Sequence, residues 1–106
     1  MKLVRRIIMC MLAFIAMDAA VAAPPGQDLF VEKCAMCHRQ MGMGTLQLMR
    51  RMPADQALLE NRVNLAPQYI EYVVRNGLGI MFSLSRAEVS DEQLQQISAY
   101  LAKEAK

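Results

Sequence analysis

With 106 residues, 55% of them hydrophobic, and twelve lysines and arginines against ten aspartates and glutamates, the chain has room for one small domain and a leader but not for two domains. The near-balance of charge excludes the dense basic surface that nucleic-acid binding needs, so no nucleic-acid partner is expected. Three cysteines and one histidine are too few for a disulfide framework.

The first segment reads as a leader. Lys2, Arg5 and Arg6 precede an uninterrupted apolar run, Ile7 to Met17, and Ala20-Val21-Ala22 supplies the small-x-small cleavage pattern. This is the form of a secretory signal peptide, residues 1–22, which leaves 23–106 as the single folded domain and places it in the periplasm. Eleven helical residues span only about 16 Å, against a hydrocarbon core of roughly 30 Å, and Asp18 follows directly, so no lasting membrane anchor is expected. Cleavage removes Cys10 and leaves two cysteines. Without Lys2, Arg5, Arg6 and Asp18 the charged residues become nine basic and nine acidic. A mature chain of 84 residues is of a size at which an apolar core alone is marginal and a staple is expected.

After an extended Ala23–Gly26 linker, Leu29, Phe30 and Lys33 to Cys34 recur at helical steps with Asp28 and Glu32 in the early turns, predicting a helix that runs into Cys34-Ala35-Met36-Cys37-His38. Residues three and four apart share a helix face, so both thiols and the imidazole can point at one object. Cys-x-x-Cys-His is the attachment spacing of c-type haem, in which the thiols add to the vinyl groups and the histidine binds the iron. Three other uses of the same residues compete with it. A thioredoxin-like dithiol needs a βαβ context, and no convincing strand is present. A structural zinc site needs four ligands, and only Cys34, Cys37 and His38 are strong ones. A soft copper site could combine the thiolates with the many methionines, but these do not recur at a ligand spacing.

Arg39 to Thr45, with Gly42 and Gly44, predicts a loop, from which a backbone carbonyl near Thr45 is expected to fix the His38 tautomer. Leu46, Leu48, Met49 and Met52 lead to Pro53, which suits a helix's first turn, and Asp55 to Asn61 predicts a short helix. Arg50 and Arg51 just before it are either contacts for a haem carboxylate or a solvated pair. Pro67 to Asn76 carries Tyr69, Ile70, Val73 and Val74 on one helix face and stops at Gly77. Gly77 to Val89 follows as a loop. Ser90 and Gln93 form a capping box for a last helix that buries Leu94, Ile97, Tyr100 and Leu101 and ends near Lys103.

The motif at residues 34–38, Gly26 and Phe30 ahead of it, and the Tyr100-Leu101 pair in the last helix resemble class I c-type cytochromes. The resemblance implies an all-α, small cytochrome c fold of about three to five helices wrapped around one covalent haem c, with the first helix crossing the last. It implies Cys34 and Cys37 as the attachment residues and His38 as one axial ligand. Met81 matches the position of the ligand methionine, with Met49 and Met52 as second choices, and a thioether there favours ferrous iron. Two departures are the Thr45 and Phe82 that stand where the family commonly has proline. The implied function is a periplasmic single-electron carrier, not itself an enzyme, between a donor dehydrogenase and an acceptor oxidase or cytochrome, docking by a small, partly apolar contact near the motif. Phe82 keeps an alternative open, a haem protein with an open distal site for small-ligand or peroxidatic chemistry. Val74-Arg75-Asn76-Gly77 resembles the cytochrome subunits of bacterial flavocytochrome alkylphenol hydroxylases, which implies a subunit of a periplasmic dehydrogenase.

Overall fold

The computed structural model describes residues 24–102. The expected leader, residues 1–22, and the expected helix end at Lys103 lie outside the described residues. Six α-helical segments follow one another: α1 Pro25–Lys33, α2 Ala35–His38, α3 Met43–Leu48, α4 Ala54–Ala57, α5 Pro67–Asn76 and α6 Asp91–Leu101, with a 3-10 turn at Leu59–Asn61 between α4 and α5. No strand forms among the described residues, and Leu78 and Met81 make an isolated antiparallel bridge. No helix among these residues is long and apolar enough to cross a membrane. The all-α expectation holds, with two of the six segments amounting to a single four-residue turn each.

The helices start and stop for local reasons. α5 occupies the residues its apolar period predicts, with Pro67 in its first turn and Gly77 closing it at φ 80°. α6 opens on the predicted capping box, in which Ser90 Oγ accepts from the Gln93 amide and Gln93 Oε1 accepts from the Ser90 amide. α1 begins earlier than expected, at Pro25, because a proline at the first helical position loses no hydrogen bond. The expected continuous helix through the motif is broken at Cys34, whose backbone (φ −124°, ψ −30°) leaves the helix before α2 resumes. Met43–Leu48 is helical, so the loop expected over Arg39 to Thr45 ends earlier than its glycines predict. The short helix expected over 55–61 divides into α4 and the 3-10 turn around Leu58.

The core lies where α1 and α6 cross and α5 packs over them. Phe30, Ile70, Val74, Leu94, Ile97 and Leu101 are buried together there. At the crossing, a Cβ on Gly26 would run into the Gln96 carbonyl oxygen and would lie 2.6 Å from Tyr100 Cβ. The two backbones approach this closely only because residue 26 has no side chain. Phe30 and Tyr100 then meet at a ring separation of 6.0 Å and a tilt of 51°, a favoured aromatic arrangement. Ser98 donates to Glu71 at 3.2 Å, which fastens α6 to α5.

Candidate haem site

Beside this core is an apolar cavity that is partly open to solvent. Cys34 and His38 reach it from the α1–α2 junction, Met81 from the loop after α5, and Phe30, Leu59 and Ile97 form apolar wall between them. Three residues singled out from the sequence are therefore brought to one place by two separate stretches of chain. Cys37 is exposed, and Cys34 is half-buried. The methionines kept as second choices, Met49 and Met52, are not among the lining residues, and neither are Arg50 and Arg51, which are exposed at the end of α3. The cation that does line the cavity is Arg62, whose Nε donates to Asn64 Oδ1 at 3.3 Å. Sequence reasoning passed over it because it lies just beyond the 3-10 turn, in a stretch without a period.

Burial governs the chemistry of the motif. It holds the His38 imidazole below its ordinary pKa, so the ring is neutral at neutral pH and has a lone pair to offer a metal. It pushes the Cys34 thiol up to about 11, with the nearby Cys37 adding to the effect. A redox-active dithiol needs the opposite, a thiolate stabilised by its surroundings. Among the described residues no three His, Cys, Asp or Glu side chains gather around a point where a metal ion could sit.

The imidazole is set by close packing. A Cβ on Gly44 would stand 2.9 Å from His38 Cε1 and 3.1 Å from Nδ1, so α3 can begin against this edge of the ring only because residue 44 is glycine. With Nδ1 closed off there, Nε2 is the nitrogen left to serve the cavity. Nδ1 itself is buried without a hydrogen-bond partner, as is Thr45 Oγ1. The expected acceptor near Thr45 is not found, because this stretch is helical and the Thr45 carbonyl is taken by the Met49 amide at 2.9 Å.

Two braces hold the surroundings. Arg39, next to the imidazole, binds Glu60 through both Nε (3.1 Å) and Nη2 (3.0 Å), and the Tyr100 hydroxyl donates to the same carboxylate at 2.6 Å. The Arg39 guanidinium also lies 6.0 Å from the Phe30 ring centroid. One carboxylate thus joins the motif, the 3-10 turn and α6. On the other side, Arg75 donates to Leu84 O (3.1 Å), Val89 O (2.9 Å) and Asp91 Oδ1 (2.9 Å), and the Leu84 amide donates to Val74 O at 2.8 Å. These bonds pin both ends of the loop that carries Met81. Within it, Leu78 and Met81 exchange amide-to-carbonyl bonds of 2.9 and 3.0 Å, and the half-buried Met81 side chain packs against the core.

A neutral imidazole, a thioether, two thiols in one motif, an apolar wall and one lining cation suit a flat apolar macrocycle with an iron centre and acidic edge groups. Residues 21–101 match the family described as cytochrome c oxidase, cbb3-type, subunit III, and the chain belongs to this family of c-type cytochromes. It is a class I c-type cytochrome, with the haem c and the electron-transfer role that membership brings. A relative from Pseudomonas putida, the cytochrome c subunit of 4-cresol dehydrogenase [hydroxylating], is 32% identical over 78 residues, which cover 73% of this chain and 58% of the relative. The chain thus matches little more than half the length of that protein. No solved structure matches it.

Proposed function

We propose that the chain is a single-haem periplasmic cytochrome that serves as the electron-transfer subunit or immediate acceptor of a dehydrogenase. Residues 1–22 act as the cleaved leader and 23–106 as the cytochrome domain. Cys34 and Cys37 would hold the haem covalently, His38 Nε2 and Met81 Sδ would bind its iron, and Arg62 would meet one of its carboxylates. The observation that carries this reading is the convergence of Cys34 and His38 from the motif and Met81 from the loop after α5 on one apolar cavity. Haem supplies a one-electron ferric/ferrous couple.

The residues of the chain tune and protect that couple. The apolar wall of Phe30, Leu59 and Ile97 excludes water and lowers the local dielectric. The Met81 thioether, a soft ligand, favours the reduced state. The braces at Glu60 and Arg75 hold the two ligand-bearing segments in place, so that little has to move when an electron arrives. The dehydrogenase assignment is supported by the name of the Pseudomonas relative.

The test is spectroscopic. The oxidised holoprotein should show the weak near-infrared sulfur-to-iron band, Met81→Ala should remove it, and haem should stay with the protein in acid-acetone. A band that persists in the variant, or rapid carbon monoxide binding by the reduced unaltered protein, would overturn the His38/Met81 assignment. Free haem in the extract would overturn covalent attachment.

A further inference from the structure

Two opposite charges stand one residue behind the cavity wall. Arg39 follows His38 in the chain and Glu60 follows Leu59, and both His38 and Leu59 line the cavity. Phe30, which is fully buried, belongs to the same wall, and the Arg39 guanidinium lies 6.0 Å from its ring centroid. Tyr100, the other donor to Glu60, packs on that ring from 6.0 Å away. The guanidinium and the carboxylate face each other through two hydrogen bonds of 3.1 and 3.0 Å, and their side chains are 42% and 26% exposed. The Lys33–Glu32 pair ahead of the motif differs, with its acid 64% exposed.

Charges so placed act on any redox group in the cavity. One-electron oxidation leaves one more positive charge there, so a nearby cation opposes it and a nearby anion favours it. The interaction is stronger beside an apolar wall than in water, because the effective dielectric constant is about 20 rather than about 80. Arg39 by itself would raise the reduction potential, and Glu60 by itself would lower it. Held together, they nearly cancel.

We propose that Arg39 and Glu60 are a matched charge pair that sets the reduction potential of the redox group in this cavity. The proposal rests on the electron-carrier reading above, which supplies the one-electron couple and the partner that provides the electron; no proton moves and no bond is made or broken. A purely structural brace has a different consequence. Loss of either partner would then loosen the same wall and admit water, and water stabilises the more highly charged ferric state, so both single variants would lower the potential. A charge pair instead gives shifts of opposite sign, which cancel when both charges are removed.

The experiment measures the midpoint potential of the folded holoprotein by spectroelectrochemistry. Glu60→Gln should favour the ferrous state by about threefold or more, and Arg39→Gln should favour the ferric state by about as much, where tenfold is about 59 mV for one electron. The double variant, Arg39→Gln with Glu60→Gln, should return to within about twofold of the unaltered protein, although it lacks the whole ion pair. Raised salt should shrink the single-variant shifts, because the uncompensated charge is part-exposed. Glu32→Gln, the same change of charge on a more exposed side chain, should move the potential less than Glu60→Gln does. Arg39→Lys keeps the charge and loses the two-point geometry, so it should lower the thermal midpoint and leave the potential within about twofold of the unaltered protein; it carries the test if the uncharged variants do not fold. Four results would each overturn the proposal: single-variant shifts of the same sign, a double variant as far from the unaltered protein as either single one, an equal shift in Glu32→Gln, or a large drop in potential in Arg39→Lys. The sulfur-to-iron band is recorded on every sample. With the band present, failure of the sign pattern sinks the charge pair alone, and the sign pattern without the band sinks the Met81 ligation alone.

Discussion

His38 and Met81 reach the same cavity from regions built on different principles. The His38 side is helix against helix. α1 lies on α6 with Gly26 against the Gln96 carbonyl, and the imidazole edge rests on Gly44. The Met81 side has no helix between Asn76 and Asp91 and is held by hydrogen bonds to a few anchors, chiefly Arg75 and the Leu84-to-Val74 backbone bond. A side chain set by packing is insensitive to charge and solvent but intolerant of added volume. A side chain set by hydrogen bonds has the reverse sensitivities.

The largest effect should come from adding volume on the packed side. Gly26→Val forces a branched side chain into a backbone-to-backbone contact and should cost about 3 kcal/mol or more, seen as loss of cooperative thermal unfolding.

Arg75→Met sharpens the contrast from the other direction. It strips donors from the Leu84 and Val89 carbonyls and from Asp91, and should cost about 2–4 kcal/mol, the scale of two or more partly buried acceptors left unpaired. Amide exchange should quicken over residues 78–89 and stay slow in α1. Acid should act in the same place. Hydrogen bonds from Arg86 and then Arg75 hold the Asp91 carboxyl below its usual range, and the Ser85 amide and hydroxyl do so for Glu88. Both groups have depressed folded-state pKa values. Their contribution is therefore present above the ordinary carboxylate pKa and is lost as pH falls through the folded values.

The smallest effect belongs to the brace on the packed side. Tyr100→Phe removes a 2.6 Å bond to Glu60 and should cost about 1–2 kcal/mol, because the acceptor is charged, with the ligand spectrum unchanged. Burial, then the Glu60 hydrogen bond and charge, push the Tyr100 phenol up to about 12. A raised phenol stabilises the fold fully below its ordinary value near 10, and this is lost as pH climbs toward about 12. An alkaline unfolding midpoint that Tyr100→Phe leaves unmoved would show that the brace is idle.

The same division explains what was legible in the sequence. α5 and the capping box of α6 could be read because an amphipathic period and a Ser-to-Gln spacing are local signals. The motif could be read because its chemistry demands adjacency. The helix α3 and the break at Leu58 inside the short helix expected over 55–61 could not, because segments this short do not persist on propensity and owe their form to contacts such as Glu60 with Arg39 and Tyr100. The expectation of an acceptor near Thr45 failed for the same reason, since it assumed a loop where a helix uses that carbonyl. Arg62 comes to the cavity through a turn that no period announces, whereas Arg50 and Arg51, conspicuous as a pair, lie outside it.

The meeting of Gly26 with Gln96 and Tyr100 also orders events in time. It joins positions seventy or more residues apart, so closing it must await nearly the whole chain and carries the entropic cost of a long loop. Along the proposed export route the amino-terminal helix emerges first and has nothing to dock on until α6 follows. During that interval the Cys34 and Cys37 thiols stand free of the burial that later raises the Cys34 pKa. If the proposed attachment holds, the Cys34 thiol would be most open to it before the first and last helices meet.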